Sequence, residues 1–375
     1  MTEELNNPFI IYGYKGEKYF CDREEETLKL IDALHNERNI TLIAPRRVGK
    51  TGLIKHVFDR IEQADADAKC FYIDIFATKS LEQLVQLMAR NIIGRLDTAS
   101  QGAIRKIQDF FSNLRPTISF DTVTGLPSVS FDIKPKEEMQ TLKRIFDYMA
   151  QSGYRCYVAI DELQQILNYA DSGTEAMLRS YIQFLPNVYF IFSGSVQHLM
   201  QEMFTSAKRP FYQSSQIVYL KNVDRTKYRL FANRFFEEQQ RTIQDDVFDE
   251  LYAQVDGITW YVQSILNRVY QYRSEPITVM FVRKVIQEIV DEQETVFQNY
   301  YASLTEIQAN LLQAIAKEGI VVSPFAHHFI SRYQLKAASS VRTALKILQD
   351  RQIVYRQQEG YIVDDRFFSK WLRQQ

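Results

Sequence analysis

The sequence predicts an α/β fold with a parallel sheet, followed by an α-helical segment and a C-terminal winged helix-turn-helix. Three observations indicate this. The apolar run Ile40–Ile43 leads through a short loop into a helical pattern that starts near Lys50. A second run, Arg155–Glu162, is apolar at its centre and ends in two carboxylates. After Asp224 the pattern changes from alternating strands and helices to helices.

Length, charge and cysteine usage exclude several classes of protein. A chain of 375 residues is expected to form two or three domains. Its net charge of -1 argues against a protein that coats nucleic acid or an anionic membrane with its whole surface. Cys21, Cys70 and Cys156 are far apart, so neither a disulfide framework nor a thiolate zinc site is expected. We therefore expect a cytoplasmic protein that does not enter a membrane.

The segment Ala44–Thr51 has the form of a phosphate-binding loop. It lies between a strand and a helix and ends in Gly49-Lys50-Thr51. Backbone N–H groups at such a helix N-terminus favour a polyphosphate, with Lys50 on the β and γ phosphates and the hydroxyl of Thr51 on Mg²⁺. The usual motif begins with glycine where this chain has Ala44. A Gly-Lys-Thr helix start that binds nothing is therefore the alternative.

Two further strand ends carry polar side chains suited to phosphate chemistry. Asp161 closes its strand and could hold Mg²⁺, while Glu162 could orient and deprotonate a water molecule. The alternative is a solvated Asp-Glu pair on the surface. The run Val188–Phe192 leads into Ser193 and Ser195, and a small polar side chain there could contact the γ-phosphate and the attacking water. An ordinary Ser-Gly turn is the alternative.

The pattern divides the chain into three predicted domains. Residues 1–222 form the sheet domain, with an inserted hairpin near 117–133 to which no chemistry is assigned. Residues 223–303 form an α-helical lid that would close over a nucleotide, and residues 304–375 form the winged helix. The last domain is mildly basic, which permits contact with DNA, but the same fold often contacts proteins. An aromatic arm at residues 6–20 would cover a nucleotide base or pad the core.

Together these motifs resemble those of the ATPases described as predominantly archaeal, which also have bacterial members, in the STAND branch near AAA+ proteins. The segments that carry the resemblance are Asp22-Arg23-Glu24, Arg46–Thr51, Ile160–Gln164, Ser193–Ser195, Pro210–Tyr212 and Ala338–Val354. The resemblance implies a P-loop NTPase sheet of strand order 5-1-4-3-2, a helical lid and a winged-helix tail. It also implies that the nucleotide is ATP, bound with Mg²⁺.

The motifs and the resemblance give one set of candidate site residues. Nucleotide contacts are expected from Arg23, Arg46, Arg47, Val48, Gly49, Lys50, Thr51 and Gly52. Metal contacts are expected from Thr51 and Asp161. Catalytic roles are expected for Lys50, Glu162, Ser193, Ser195 and Arg209.

The chain departs from the family pattern at two places. Members tend to carry Gly-Arg after Pro-x-Tyr, where this chain has Gln213-Ser214, so Arg209 is the candidate substitute for the arginine finger. Members also often carry Gly-x-Pro before an aromatic pair, and here Thr259 stands at the proline position before Trp260 and Tyr261. The second departure would alter how the lid senses the nucleotide.

We expect a Mg²⁺-dependent ATPase of slow turnover that works as a nucleotide switch. ATP would hold the lid and sheet domain closed, and hydrolysis would change what residues 304–375 present to a DNA or protein partner. The alternative is a DNA-binding regulator whose ATP site is vestigial or does not hydrolyse, which Ala44 and the missing arginine favour. A motor or replication initiator that forms a homo-oligomer on binding ATP is a third possibility.

Overall fold

The structure is a computed structural model, and the backbone forms two compact units. The described residues are 5–96, 107–111, 116–120, 127–133, 137–171, 173–357 and 360–375. The first unit spans Met1–Phe231 and Ile258–Trp260, the second spans Ala232–Gly257 and Tyr261–Gln375, and each is described only over the residues given above. In the part of the chain described, every helix is too short or too polar to cross a lipid bilayer.

The first unit is organised around a five-stranded sheet in which every strand pair is parallel. Its strands, with the two of the hairpin included in chain order, are β1 (Ile40–Ile43), β2 (Ala68–Asp74), β3 (Pro116–Phe120), β4 (Pro127–Phe131), β5 (Arg155–Asp161), β6 (Val188–Gly194) and β7 (Gln216–Tyr219). The sheet order is β2-β5-β6-β1-β7. With the hairpin strands left out of the count, this is the order 5-1-4-3-2, so the predicted fold class is confirmed.

The helices that connect or flank these strands in the described part of the first unit include α1 (Glu24–His35), α2 (Lys50–Ala64), α3 (Leu81–Leu96), α4 (Glu138–Ala150), α5 (Thr174–Ile182) and α6 (Gln197–Thr205). β1 and β6 are buried along their whole length, as expected for parallel strands covered on both faces. The register places Asp74 beside Asp161 and Ile43 beside Gly194, so the carboxyl ends of the strands meet at one edge of the sheet.

The predicted hairpin is present as the antiparallel pair β3 and β4, and residues 121–126 between these strands lie outside the described residues. It packs against α3, where the Phe131 backbone N–H donates to Oε1 of Gln86 at 3.1 Å. The Phe131 ring also contacts the buried ring of Phe111, with centroids 5.1 Å apart. The hairpin is therefore bound to the core of the first unit through both backbone and aromatic contacts.

The second unit is mainly helical. Its elements are the end of α7 (Arg225–Phe236), α8 (Asp245–Gln254), most of α9 (Thr259–Gln271), α10 (Val279–Glu292), α11 (Glu294–Ala302), α12 (Glu306–Glu318), α13 (His327–Arg332), α14 (Ala338–Asp350), β8 (Val354–Arg356), β9 (Tyr361–Val363) and α15 (Arg366–Gln374). Three helices and the antiparallel pair of β8 and β9 form the expected winged helix. Thr305 and Gln308 form a capping box at the start of α12.

Most of the predicted lid lies in the same compact unit as the winged helix. The physical reason is α15, a helix that the sequence analysis did not predict. Its buried side chains Phe368 and Trp371 pack on Phe297 of α11, with ring centroids 5.2 Å and 6.2 Å apart. Asp365 caps α15 by accepting hydrogen bonds from the N–H groups of Phe367 and Phe368. The boundary at residue 304 stays a prediction.

Substitution of Gly194 by alanine is expected to lower the melting temperature by several degrees. A Cβ at this position would lie 2.2 Å from Oε1 of Gln164 and 2.6 Å from the side chain of Met200, and both are buried. Such overpacking typically costs about 1–3 kcal/mol. Gly173→Ala is the matched control, because a Cβ there meets no atom within 4 Å. Equal melting temperatures for the two variants would contradict the prediction.

Candidate active site

The loop between β1 and α2 has a constrained backbone. Arg47 and Gly49 both have left-handed conformations, with φ of 66° and 100°. The Oγ1 of Thr259 donates to the Val48 carbonyl at 3.0 Å, and the Trp260 N–H donates to the Arg47 carbonyl at 3.0 Å. The Arg47 guanidinium lies over the Trp260 ring, 5.2 Å from its centroid. These contacts fix the loop in the conformation that precedes α2.

Lys50 begins α2 with its side chain buried in the loop. It is 6% exposed, and Nζ donates to the carbonyl oxygens of Ala44 at 3.3 Å and Pro45 at 3.2 Å. Burial lowers the pKa of the ammonium, and the charges of Glu162 and Asp161 partly oppose this shift. Two long hydrogen bonds to neutral carbonyls compensate a buried cation poorly. A bound anion at this position would stabilise the charge.

The Asp161 carboxylate lies beside the first turn of α2. Asp161 is 4% exposed, and its Oδ2 accepts hydrogen bonds from Thr51 Oγ1 at 3.2 Å and from Tyr72 OH at 2.5 Å. Its Oδ1 accepts from the Glu162 N–H at 3.0 Å. A hydroxyl and a carboxylate are oxygen ligands of the type that Mg²⁺ takes alongside substrate phosphates. The residues present therefore fit a Mg²⁺–nucleotide complex.

Glu162 occupies a left-handed conformation, with φ of 58°, at the end of β5. Its Oε2 accepts hydrogen bonds from Gln164 Nε2 at 2.5 Å, Ser195 Oγ at 2.7 Å and the Ser195 N–H at 3.3 Å. Arg46 Nε donates to Ser195 Oγ at 3.4 Å. β6 lies between β5 and β1 in the sheet, which brings the predicted phosphate sensor Ser195 against the predicted base.

Other predicted site residues lie outside this cluster. Ser193 is fully buried, and its Oγ has no hydrogen-bond partner among the described residues. Arg23 is buried behind the loop, where Nη2 donates to the Val48 carbonyl at 3.2 Å and Nη1 bonds Glu26 at 2.8 Å. It supports the loop in this conformation. Its predicted contact with nucleotide stays a prediction.

Arg209 is engaged away from the carboxylates of β5. Its Nη2 lies 2.7 Å from Oε2 of Glu175, and its Nη1 lies 3.8 Å from Oε1 of Glu202. Burial raises the pKa of Glu175, and the charge of Arg209 acts in the opposite direction. The structure thus gives Arg209 a local ion pair, and its predicted role as an arginine finger stays a prediction.

The aromatic arm and Gly52 meet on α2. A Cβ at Gly52 would lie 3.5 Å from the Phe20 ring, which stacks on His56 with centroids 4.4 Å apart. Tyr14 OH donates to Asp59 at 3.0 Å. In this structure the arm therefore packs against the helix that follows the loop.

Three residues that contact the site are not predicted from the sequence: Tyr72, Gln164 and Thr259. Gln164 lies in the segment Ile160–Gln164 that carries the family resemblance, but this pattern indicates no role for it. Thr259 differs from the proline of the family pattern, and this difference does not indicate a hydrogen bond to the loop. Tyr72 gave no local signal, because an aromatic residue in a predicted strand is normally attributed to the core.

Comparisons with known proteins agree with this fold. Residues 20–265 match a family model described as an ATPase domain predominantly from Archaea, and residues 295–374 match a probable winged helix domain. Among solved structures, the chain is similar to the Walker-type ATPase PABY2304 of Pyrococcus abyssi, with 19% identity, 98% of this chain and 99% of that chain covered, and a TM-score of 0.64.

The ORC2 protein of Aeropyrum pernix in its ADP form is also similar, with 14% identity, 98% of each chain covered and a TM-score of 0.55. No curated protein sequence gives a significant match. At these identities the structural likeness shows the fold alone.

Proposed function

Because the chain belongs to the family of ATPase domains found predominantly in Archaea, we propose that it binds ATP with Mg²⁺ and hydrolyses it slowly. The observation that carries the proposal is the 3.2 Å hydrogen bond from Thr51 to Asp161. It joins the helix after the loop to the end of β5, the two places from which phosphate-loop enzymes hold their metal. Lys50 lies in the same loop with its charge buried.

The proposed roles follow from the positions of the side chains. Backbone N–H groups of Val48–Thr51 bind the phosphates at the start of α2, and Lys50 supplies a charge to the β and γ phosphates. Thr51 and Asp161 hold Mg²⁺, which neutralises phosphate charge when bound. Glu162 accepts the proton of the attacking water, and its carboxylate is held by Ser195 and Gln164.

The proposed switch would act through the start of α9. Thr259 and Trp260 bond the loop carbonyls and belong to the first unit, whereas the rest of the helix belongs to the second. A change in the loop on nucleotide binding would alter these two hydrogen bonds. A ligand that binds one arrangement of the loop more tightly would shift the population towards that arrangement. This supports a nucleotide-dependent change passed along α9 to the winged-helix unit.

The partner surface that we propose is the exposed face of α14 in the winged helix. Arg342, Thr343 and Lys346 are exposed there. Other cations of residues 304–375 pair with nearby groups: Arg332 with Glu318, Lys336 with Glu306, Arg366 with Asp256, and Arg373 with the Ala316 carbonyl. The Arg342 guanidinium lies 4.9 Å from the centroid of the Phe325 ring. The exposed Arg342 and Lys346 side chains therefore give α14 a basic face.

The second candidate function, a DNA-binding regulator, is favoured by the same face of α14. Measurement of phosphate release with and without duplex DNA separates the two functions. A DNA affinity that falls steeply with salt, without phosphate release under any condition, would favour the regulator.

Addition of ATP and Mg²⁺ is expected to raise the melting temperature of the purified protein. Ligand at about 100 times its dissociation constant stabilises the folded protein by about 2.7 kcal/mol. The measurement is a thermal melt with ATP and Mg²⁺, with AMP and Mg²⁺ as the control that lacks the β and γ phosphates. An unchanged melting temperature with ATP and Mg²⁺ would reject the proposed function.

A further inference from the structure

Tyr72 of β2 lies beside the proposed metal site. In the sheet register Tyr72 pairs with Ala159 of β5, and Asp74 pairs with Asp161. Residues two apart on a strand point to the same face, so Tyr72 projects from the face that carries Asp161. Its hydroxyl donates to Asp161 Oδ2 at 2.5 Å and lies 3.3 Å from Thr51 Oγ1. Three oxygens from three elements therefore meet at one point.

The hydroxyls of Tyr72 and Thr51 have different roles at the Asp161 carboxylate. Tyr72 and the Glu162 N–H hold the two oxygens of Asp161, so the carboxylate orientation does not depend on Thr51 alone. The Thr51 oxygen then keeps a lone pair for a metal while its O–H donates to Asp161 Oδ2. Without the Tyr72 hydrogen bond, the Thr51 hydroxyl would have to orient the Asp161 carboxylate and also contact the metal.

Tyr72 is held close to α2 by a second contact besides its hydroxyl. The Nζ of Lys55, one turn after Thr51 on α2, lies 5.2 Å from the centroid of the Tyr72 ring. The ring is thereby restrained against the same helix that carries Thr51.

We propose that Tyr72 is a positioning residue for Mg²⁺, and that its hydroxyl holds Asp161 in the orientation in which Asp161 and Thr51 meet the metal. The inference rests on the proposed function, since it concerns the same metal–nucleotide site. It assigns a role to β2, a strand that contributes no residue to the phosphate-binding loop or to the Asp-Glu pair. A bond that served only stability would leave the response of the protein to Mg²⁺ unchanged.

The test compares Tyr72→Phe with Tyr169→Phe. Each variant loses one phenolic hydroxyl from the first unit, and each lost hydrogen bond is 2.5 Å long, because Tyr169 OH bonds Thr78 Oγ1 at that distance. Melting temperature is recorded while Mg²⁺ is titrated at a fixed excess of ATP. The half-saturating Mg²⁺ concentration is expected to rise roughly tenfold or more in Tyr72→Phe and to stay unchanged in Tyr169→Phe, since partners of metal ligands contribute factors of about 10–100 to affinity.

Three outcomes are distinguishable. A Mg²⁺ midpoint that shifts only in Tyr72→Phe, with an unchanged response to ATP in EDTA, supports the positioning role. Equal midpoints in wild type and both variants, with a melting temperature lowered in both variants before ligand is added, overturn it and leave the proposed function intact. If the wild-type protein shows no response to ATP and Mg²⁺, the proposed function is rejected and the positioning role with it.

Discussion

Lys50→Ala is expected to abolish the rise in melting temperature with ATP and Mg²⁺, together with any phosphate release. The reason is that Lys50 is a cation buried inside the loop, where burial lowers its pKa and, among the described residues, two neutral carbonyls accept its hydrogen bonds. Its desolvation is a cost that a bound polyphosphate would offset. Without ATP, the variant is therefore expected to melt at the wild-type temperature or above it.

The measurement is a pair of thermal melts, with and without ATP and Mg²⁺, alongside a phosphate-release assay. Lys143→Ala is the matched control, because Lys143 is an exposed lysine whose bonding partner among the described residues is Asp147, one turn away on α4. Retention of the full ATP response in Lys50→Ala would show that ATP binds at a place other than this loop. A large fall in ligand-free stability would show that the buried ammonium is better compensated than its contacts indicate.

Glu162→Gln is expected to keep the ATP response and to lower turnover by at least about 100-fold, the usual lower bound for losing a general base. The amide has the size of the carboxylate, and its oxygen can still accept from Ser195 and Gln164 as Oε2 does now. It cannot take a proton from water. Binding and turnover should therefore separate in this variant.

Phosphate release under saturating ATP and the thermal response to ATP are both measured for Glu162→Gln. Glu82→Gln serves as the control, since Glu82 is an exposed carboxylate in the first turn of α3. Turnover within twofold of wild type would mean that another group is the base. A lost ATP response would mean that Glu162 contributes to binding rather than to the proton transfer.

Local patterns were sufficient for the features that lie within one stretch of chain. The run from Ile40 to Thr51 combines a strand, a loop and a helix start, and the helix start is where phosphate-binding N–H groups must lie. The carboxylates at the end of β5 are likewise a property of one strand. α15 could also have been predicted, because Asp365 is a capping residue and Phe367, Phe368, Trp371 and Leu372 follow at helical spacing.

Contacts between side chains that are distant in sequence could not be predicted from local patterns. The position of Arg209 next to Pro210 in the chain favours it as the arginine finger, but packing places its guanidinium against Glu175. Ser195 was expected at a phosphate, and the structure shows it bonded to Glu162. Each of these partners is set by which helix or strand lies alongside, and a local pattern does not contain that information.

The sequence by itself predicted a loop of the phosphate-binding form, a strand that leads into Asp161 and Glu162, and a winged helix over residues 304–375. Tertiary structure alone decided that Tyr72, 89 residues before Asp161, donates to its carboxylate. The physical reason is that helix and strand patterns depend on neighbours within a few residues, whereas a side-chain hydrogen bond depends on sheet order and register. Those are fixed only when β2 and β5 pair.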